Sequence, residues 1–244
     1  FYITNTKHWY KLADAMAVRV DRSTVDRART VIANSQMASR ELQQWYGVPS
    51  DRLRVVHNGV DLERFRPDAH CTLPGDGPAI VFFGSGFHRK GLLTALRATA
   101  CMAEIRLVII GSDKRSIAYE RMARQLNIAD RVSFLGSIAE PERLLPAAKA
   151  MILPTRYDPF ANACLEAMAC GVPVVTPHSN GAAEVLPETW MALDRDADIQ
   201  RWVDVLKRVL DEPSLREACR AAAENHPAQA TFAAVAAVME QAIT

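Results

Sequence analysis

Short apolar runs alternate with helical segments through the middle of this chain, and that alternation limits the fold more than any other feature. Ala79 to Phe83, Ile105 to Ile110, Val132 to Leu135, Ala150 to Leu153 and Val172 to Thr176 are nearly continuous apolar runs of strand length. Between them lie helical stretches at Gly91 to Met102, Ser116 to Leu126, Glu140 to Ala147 and Asn162 to Cys170. Strands without a polar face are buried on both sides. In alternation with helices they predict a parallel sheet covered above and below. The expected class is therefore α/β, with a Rossmann-like doubly wound sheet. Ligands in such sheets bind beyond the carboxyl ends of the strands.

Before this region, Thr30 to Ala33 and Leu53 to His57 read as strands flanking a helix. Asn34-Ser35 offers that helix an N-cap, and Gly47 and Pro49 end it. Residues 1–29 read as a packed amphipathic helix, with contact to an anionic membrane surface as the alternative. The polar stretch from Asp61 to Pro78 marks a domain boundary or hinge. After the sheet, the tail from Asp198 reads as three helices, the last Ala-rich and beginning after Pro227. The chain begins with Phe1, inside a helical-looking stretch, and is expected to be an N-terminally truncated piece of a longer protein.

The net charge of +1 gives no global argument for nucleic acid as a partner. Five cysteines form no CxxC pair and read as small core hydrophobes in a reducing, cytoplasmic setting. The histidines make no cluster with metal-ligand spacing, so no metal site is expected.

Two loops concentrate the chemistry. Gly84 to Gly91 reads GSGFHRKG and follows the first strand. It fails the dinucleotide fingerprint, with Arg89 where a third glycine belongs, and it fails the P-loop pattern, with Leu92 where lysine belongs. What remains is a glycine turn delivering Arg89 and Lys90 to a helix start, a pairing suited to a diphosphate. The second loop, TRYDPFAN, ends at the helix from Asn162, so the amides of Phe160 to Ala163 are expected to face the crevice. Asp158 precedes that helix, and Glu166 is the single charge inside it. A carboxylate in so apolar a helix is expensive to bury without a partner, and the pair suits sugar hydroxyls. Two further loops, GSDKRS (Gly111 to Ser116) and GSIAE after Leu135, read as a solvated turn and as backbone that can meet a base edge.

Asp158, Phe160, Glu166, Ala167, Met168, Ala169, Gly171, Pro173, Val174 and Val175 resemble the E-x7-E signature of retaining GT-B glycosyltransferases, glycosyltransferase family 4. IANS, HNGVDLERFRP, Lys90-Gly91, VSFLG and GAAE (Gly181 to Glu184) fit the same family in order over roughly residues 30 to 186. The GSGFHRKG loop most resembles lipopolysaccharide core glucosyltransferases of the glucosyltransferase I type. Two positions depart from the family pattern. Asp158 replaces the first Glu, and Ser85 stands where an Arg is frequent.

The resemblance implies two Rossmann-like domains, acceptor and donor, with 1–64 a remnant of the first and its hinge, 65–226 the donor domain, and 227–244 a helix crossing back. It implies a metal-independent hexosyltransferase that takes a nucleoside diphosphate sugar, UDP-glucose first among donors, to a lipopolysaccharide-core or similar glycan acceptor. No cofactor is implied, and peripheral contact with the inner membrane is the further implication. Arg89, Lys90 and Asp158 are implied as catalytic. Gly84, Ser85, Gly86, Ser133, Phe134, Phe160, Ala161, Asn162, Ala163, Cys164 and Glu166 are implied to bind the donor, with Glu166 on ribose and Asp158 on the donor sugar. The rival readings are a nucleotide-sugar-binding module without turnover, a sugar-nucleotide epimerase of the same fold, and a nicotinamide oxidoreductase. The missing third glycine and the lack of an acidic residue closing the second strand, which ends Ile109-Ile110-Gly111, count against the last.

Overall fold

The computed structural model describes residues 23–68 and 70–243. Residues 23–27 are helical, residues 28 and 29 are not, and residues 1–22 of the helix expected over 1–29 lie outside the described residues.

Among the described residues there are two parallel sheets. The smaller pairs β1 (Val31–Ala33) with β2 (Leu53–Val55) around α1 (Gln36–Tyr46). Ser35 caps α1 by accepting from the Ala38 amide, and Gly47, at φ 66, ends it in the left-handed region. This unit has its own small core of Val25, Tyr46, Val48 and Leu53.

The larger sheet contains β3 (Ala79–Phe83), β4 (Arg106–Ile110), β5 (Val132–Gly136), β6 (Ala150–Ile152), β7 (Val174–Pro177) and β8 (Ala192–Leu193). Its order is β5-β4-β3-β6-β7-β8, with every neighbouring pair parallel. The direction of strand addition reverses between β3 and β6, which places the topological switch point of a doubly wound sheet between those two strands. β8 does not stand out in the sequence, because two residues carry no periodicity. Residues 140–147 read as one helix in the sequence but form two 3-10 turns, Pro141–Arg143 and Leu145–Ala147. Pro141 and Pro146 supply no backbone N–H, and Pro146 disfavours helical geometry in the residue before it.

The connecting helices are α2 (Phe87–Lys90), α3 (Leu92–Ala100), α4 (Ser116–Gln125) and α5 (Asn162–Ala169), followed by α6 (Ile199–Asp211), α7 (Leu215–Glu224) and α8 (Ala228–Ile243). The central strands and the facing sides of α3, α5 and α6 form one large core. Cys164, Cys170 and Cys219 belong to it. Cys71 and Cys101 do not, since they lie outside the helices and strands, Cys71 partly buried and Cys101 exposed. Among the described residues no helix is long and apolar enough to cross a membrane.

Candidate functional site

Both chemistry-bearing loops leave strands that flank the switch point. The loop after β3 carries residues 84–91, and the loop after β6 runs to α5 at Asn162. They are in close contact. A Cβ on Gly91, whose φ is 80, would sit 1.9 Å from the Pro154 carbonyl oxygen. Only glycine permits that approach, and it brings Arg89 and Lys90 against the Asp158 loop.

The three implied catalytic residues form one ion cluster. Asp158 Oδ2 accepts from Lys90 Nζ at 2.7 Å and from Arg89 at 2.8 Å. Its Oδ1 accepts from the Phe160 amide at 3.2 Å. Lys90 is 7% exposed and Asp158 8%. Burial alone would push the Asp158 carboxyl up, but the charges and hydrogen bonds of Lys90 and Arg89 outweigh it and hold the group below the ordinary carboxylate range. Two cations and one carboxylate leave the cluster with a net positive charge.

Glu166 is different. It accepts no hydrogen bond from any described residue. Burial pushes its carboxyl up, Glu142 adds to that, and Arg64 and Lys90 pull the other way. It is a half-buried acceptor within the field of Lys90.

The start of α5 corrects the expectation that the amides of Phe160 to Ala163 all face outward. The Phe160 amide is held by Asp158, the Ala161 amide by Asn180 Oδ1 at 3.1 Å, and the Cys164 amide by the Ala161 carbonyl. Asn162 and Ala163 keep amides that no described residue accepts. Burial pushes the Cys164 thiol up to about 12, and its sulfur accepts from Asn180, so it is a packed core group.

Asn180 belongs to the site, although no sequence motif points to it. It is fully buried, accepts from the Ala161 and Ala182 amides, and donates to Thr176 Oγ1 and Cys164 Sγ. The Ser-Asn-Gly turn is visible in the sequence, but the partners lie on other elements. In the sequence Glu184 stands out only as part of GAAE. It bonds the first two amides of α1 and the His57 ring.

On the β4 and β5 side, the loops join. Ser85 Oγ accepts from the Ser112 amide, and Ser137 bonds Ser112. Asp113 accepts from the Phe87 amide at 2.7 Å, so the first amide of α2 is already occupied. Ser133 and Phe134 lie within β5, paired with Val108 and Ile109, while Gly136 and Ser137 stand at its carboxyl end. Phe134 packs its ring against Phe87.

The glycosyl transferases group 1 family model matches residues 68–226, well over half of the chain. The chain belongs to that family. A second model, glycosyltransferase family 4, matches residues 4–64. The D-inositol 3-phosphate glycosyltransferase of Mycolicibacterium smegmatis (strain ATCC 700084 / mc(2)155) is 31% identical over 228 residues, covering 87% of this chain and 52% of its own length. The protein of the same name from Acidothermus cellulolyticus (strain ATCC 43068 / DSM 8971 / 11B) is 33% identical over 219 residues, covering 80% of this chain and 48% of its own. The chain thus spans about half the length of the curated relatives it matches.

Sucrose-phosphate synthase from Thermosynechococcus elongatus superposes with a TM-score of 0.84 at 25% identity, over 96% of this chain and 64% of that one. HepE from Anabaena, solved in complex with UDP-glucose, gives 0.81 at 20% identity over 93% and 68%. WaaG, a glycosyltransferase involved in lipopolysaccharide biosynthesis, gives 0.75 at 19% over 89% and 65%. The fold of this group 1 chain is therefore that of the GT-B glycosyltransferases.

Proposed function

We propose that this chain carries the donor half of a retaining glycosyltransferase that moves a hexose from a nucleoside diphosphate sugar, UDP-glucose first, to a glycan hydroxyl. The observation that carries the reading is the α5 start. A carboxylate, Glu166, and two amides, Asn162 and Ala163, that no described residue bonds lie on one helix beside the Arg89-Lys90-Asp158 cluster. Ribose hydroxyls donate to Glu166. The diphosphate takes the two amides and the net positive charge of the cluster. Asp158, already holding Lys90 and Arg89 side by side, turns a free oxygen lone pair toward the donor sugar.

Chemistry follows from charge. As the glycosidic C–O bond to the nucleotide breaks, negative charge grows on the leaving diphosphate. Lys90, Arg89 and the α5 amides are in place beforehand to stabilise it. The acceptor hydroxyl attacks from the face the nucleotide leaves and passes its proton to the departing diphosphate oxygen, so the bond to the nucleotide is replaced by one to the acceptor and configuration is retained. A lipopolysaccharide-core glycan is the acceptor suggested by the GSGFHRKG loop. The curated relatives carry D-inositol 3-phosphate in their names, a second acceptor class to assay.

Calorimetry of this chain against UDP-, GDP- and ADP-sugars tests the donor. We expect saturable binding with UDP-glucose tightest. Glu166→Ala should weaken UDP binding by about 1.5–3 kcal/mol, the range for a hydrogen bond to a charged group. Unchanged affinity removes the ribose role. Because the Glu166 carboxyl is raised, its share of the affinity should fade with acid at a midpoint above the ordinary glutamate value of about 4.3. The difference between wild type and Glu166→Gln isolates that share.

A further inference from the structure

The unit built on β1, β2 and α1 has a core separate from that of the large sheet. Much of what joins the two at the site is polar. Glu184 sits on the 3-10 turn Gly181–Val185 of the donor body. Its Oε2 accepts from the Gln36 amide at 2.8 Å and its Oε1 from the Met37 amide at 2.7 Å, while His57 Nε2 lies 2.9 Å from Oε2. Ser35 takes the next amide, that of Ala38. The whole first turn of α1 is thus satisfied, and most of it by a carboxylate 147 or more residues away.

The same turn is tied to the site. The Gly181 amide donates to the Asp158 carbonyl at 2.9 Å. A Cβ on Gly181 would lie 1.9 Å from the Pro159 carbonyl oxygen and 2.6 Å from Ser35 Oγ, so the turn is pressed against both partners. One helical turn further along α1, Glu41 accepts from the Tyr157 hydroxyl at 2.5 Å, and Tyr157 immediately precedes Asp158. Asn58, next to His57, donates to Asn162 at 2.6 Å. α1 therefore grips the Asp158 loop at Tyr157 and, through Glu184, at Gly181.

We propose that Glu184 is a positioning residue. It latches the α1 unit to the donor body and, through the Gly181 turn and Tyr157, holds the Asp158 carboxylate in its reactive position toward the donor sugar without itself touching the donor. The contacts are hydrogen bonds at a polar junction, which form and break more readily than a shared apolar core. The latch is engaged when the two units are docked and the site is complete. The proposal rests on the donor reading above for its effect on turnover, but not for the latch itself.

The test uses Glu184→Gln, which keeps the volume and replaces one acceptor oxygen with an NH2 that meets a backbone N–H. In the full-length protein kcat should fall roughly 10- to 100-fold, the scale of a small misplacement of a reacting group, while UDP affinity stays within about twofold. Tyr157→Phe, which removes only the hydroxyl, should move kcat the same way with UDP affinity kept. Unchanged kcat in both variants overturns the proposal. A parallel loss of UDP affinity also overturns it, because Glu184 would then belong to donor binding. Hydrogen exchange at the Gln36 and Met37 amides provides an arm independent of activity. These amides should exchange at least about 10-fold faster in Glu184→Gln, and unchanged exchange overturns the latch. If wild type binds no nucleotide sugar, the donor reading fails and the exchange arm alone decides.

Discussion

Asp158 illustrates how one side chain is set by its surroundings. It is one methylene shorter than the glutamate usual in the resembled signature, yet it reaches both Lys90 and Arg89. Asp158→Asn would strip the charge partner from a lysine that is 7% exposed. Removing one member of a buried pair typically destabilises by about 3–5 kcal/mol, and urea unfolding should show a loss on that scale. The pH dependence has a definite sign. The folded carboxyl is depressed, so its contribution is fully present above the unfolded aspartate value of about 3.9 and is lost as pH falls through the lower folded value. Wild type should therefore lose stability more steeply than Asp158→Asn below about pH 4. The presence of Asp158, Arg89 and Lys90 could be read from the sequence, but their mutual pairing could not, because 68 residues separate Lys90 from Asp158.

Helix α5 was legible as an element, since Gly171 and Pro173 stop an apolar helical run. The polarity of its first turn was not. Asn180 takes the Ala161 amide and braces Cys164 and Thr176, which selects the two amides left for a ligand. Asn180→Ala should leave two buried amides unsatisfied and cost about 2–4 kcal/mol, measured by thermal or denaturant unfolding. A loss under about 0.5 kcal/mol would mean that the turn re-forms without the side chain. The 140–147 segment teaches the complementary lesson. Its apolar spacing suits a helix, but Pro146 inside it has no N–H to continue the backbone ladder and disfavours helical geometry in the residue before it, and local chemistry prevails over the pattern.

Across the whole molecule, the strand order brings the β3 and β6 loops together and sends the β4 and β5 loops to one side. If those loops bind a nucleotide, UDP should stabilise the folded chain by about 2.7 kcal/mol at 100 times its Kd. A thermal scan of this chain with and without UDP reads that directly, and an unchanged midpoint at saturating UDP counts against the donor site. The two cores add a finer expectation. UDP should protect amides of the large sheet more than those of the Val25-Tyr46-Val48-Leu53 cluster, which forms a separate core.

The sequence by itself determined the α/β class, the parallel sheet and the chemical content of each loop. Those properties depend on periodicity and on residue type, which are local. Tertiary structure alone decided which charged groups are engaged. Asp158 is paired, Glu166 is left open, and Glu184 is committed to a helix on another unit. In a parallel sheet, each loop meets its neighbours only after crossover connections have carried the chain back. Partners at the site are therefore set by strand order and close approach, as at Gly91 and Pro154, and not by distance along the chain.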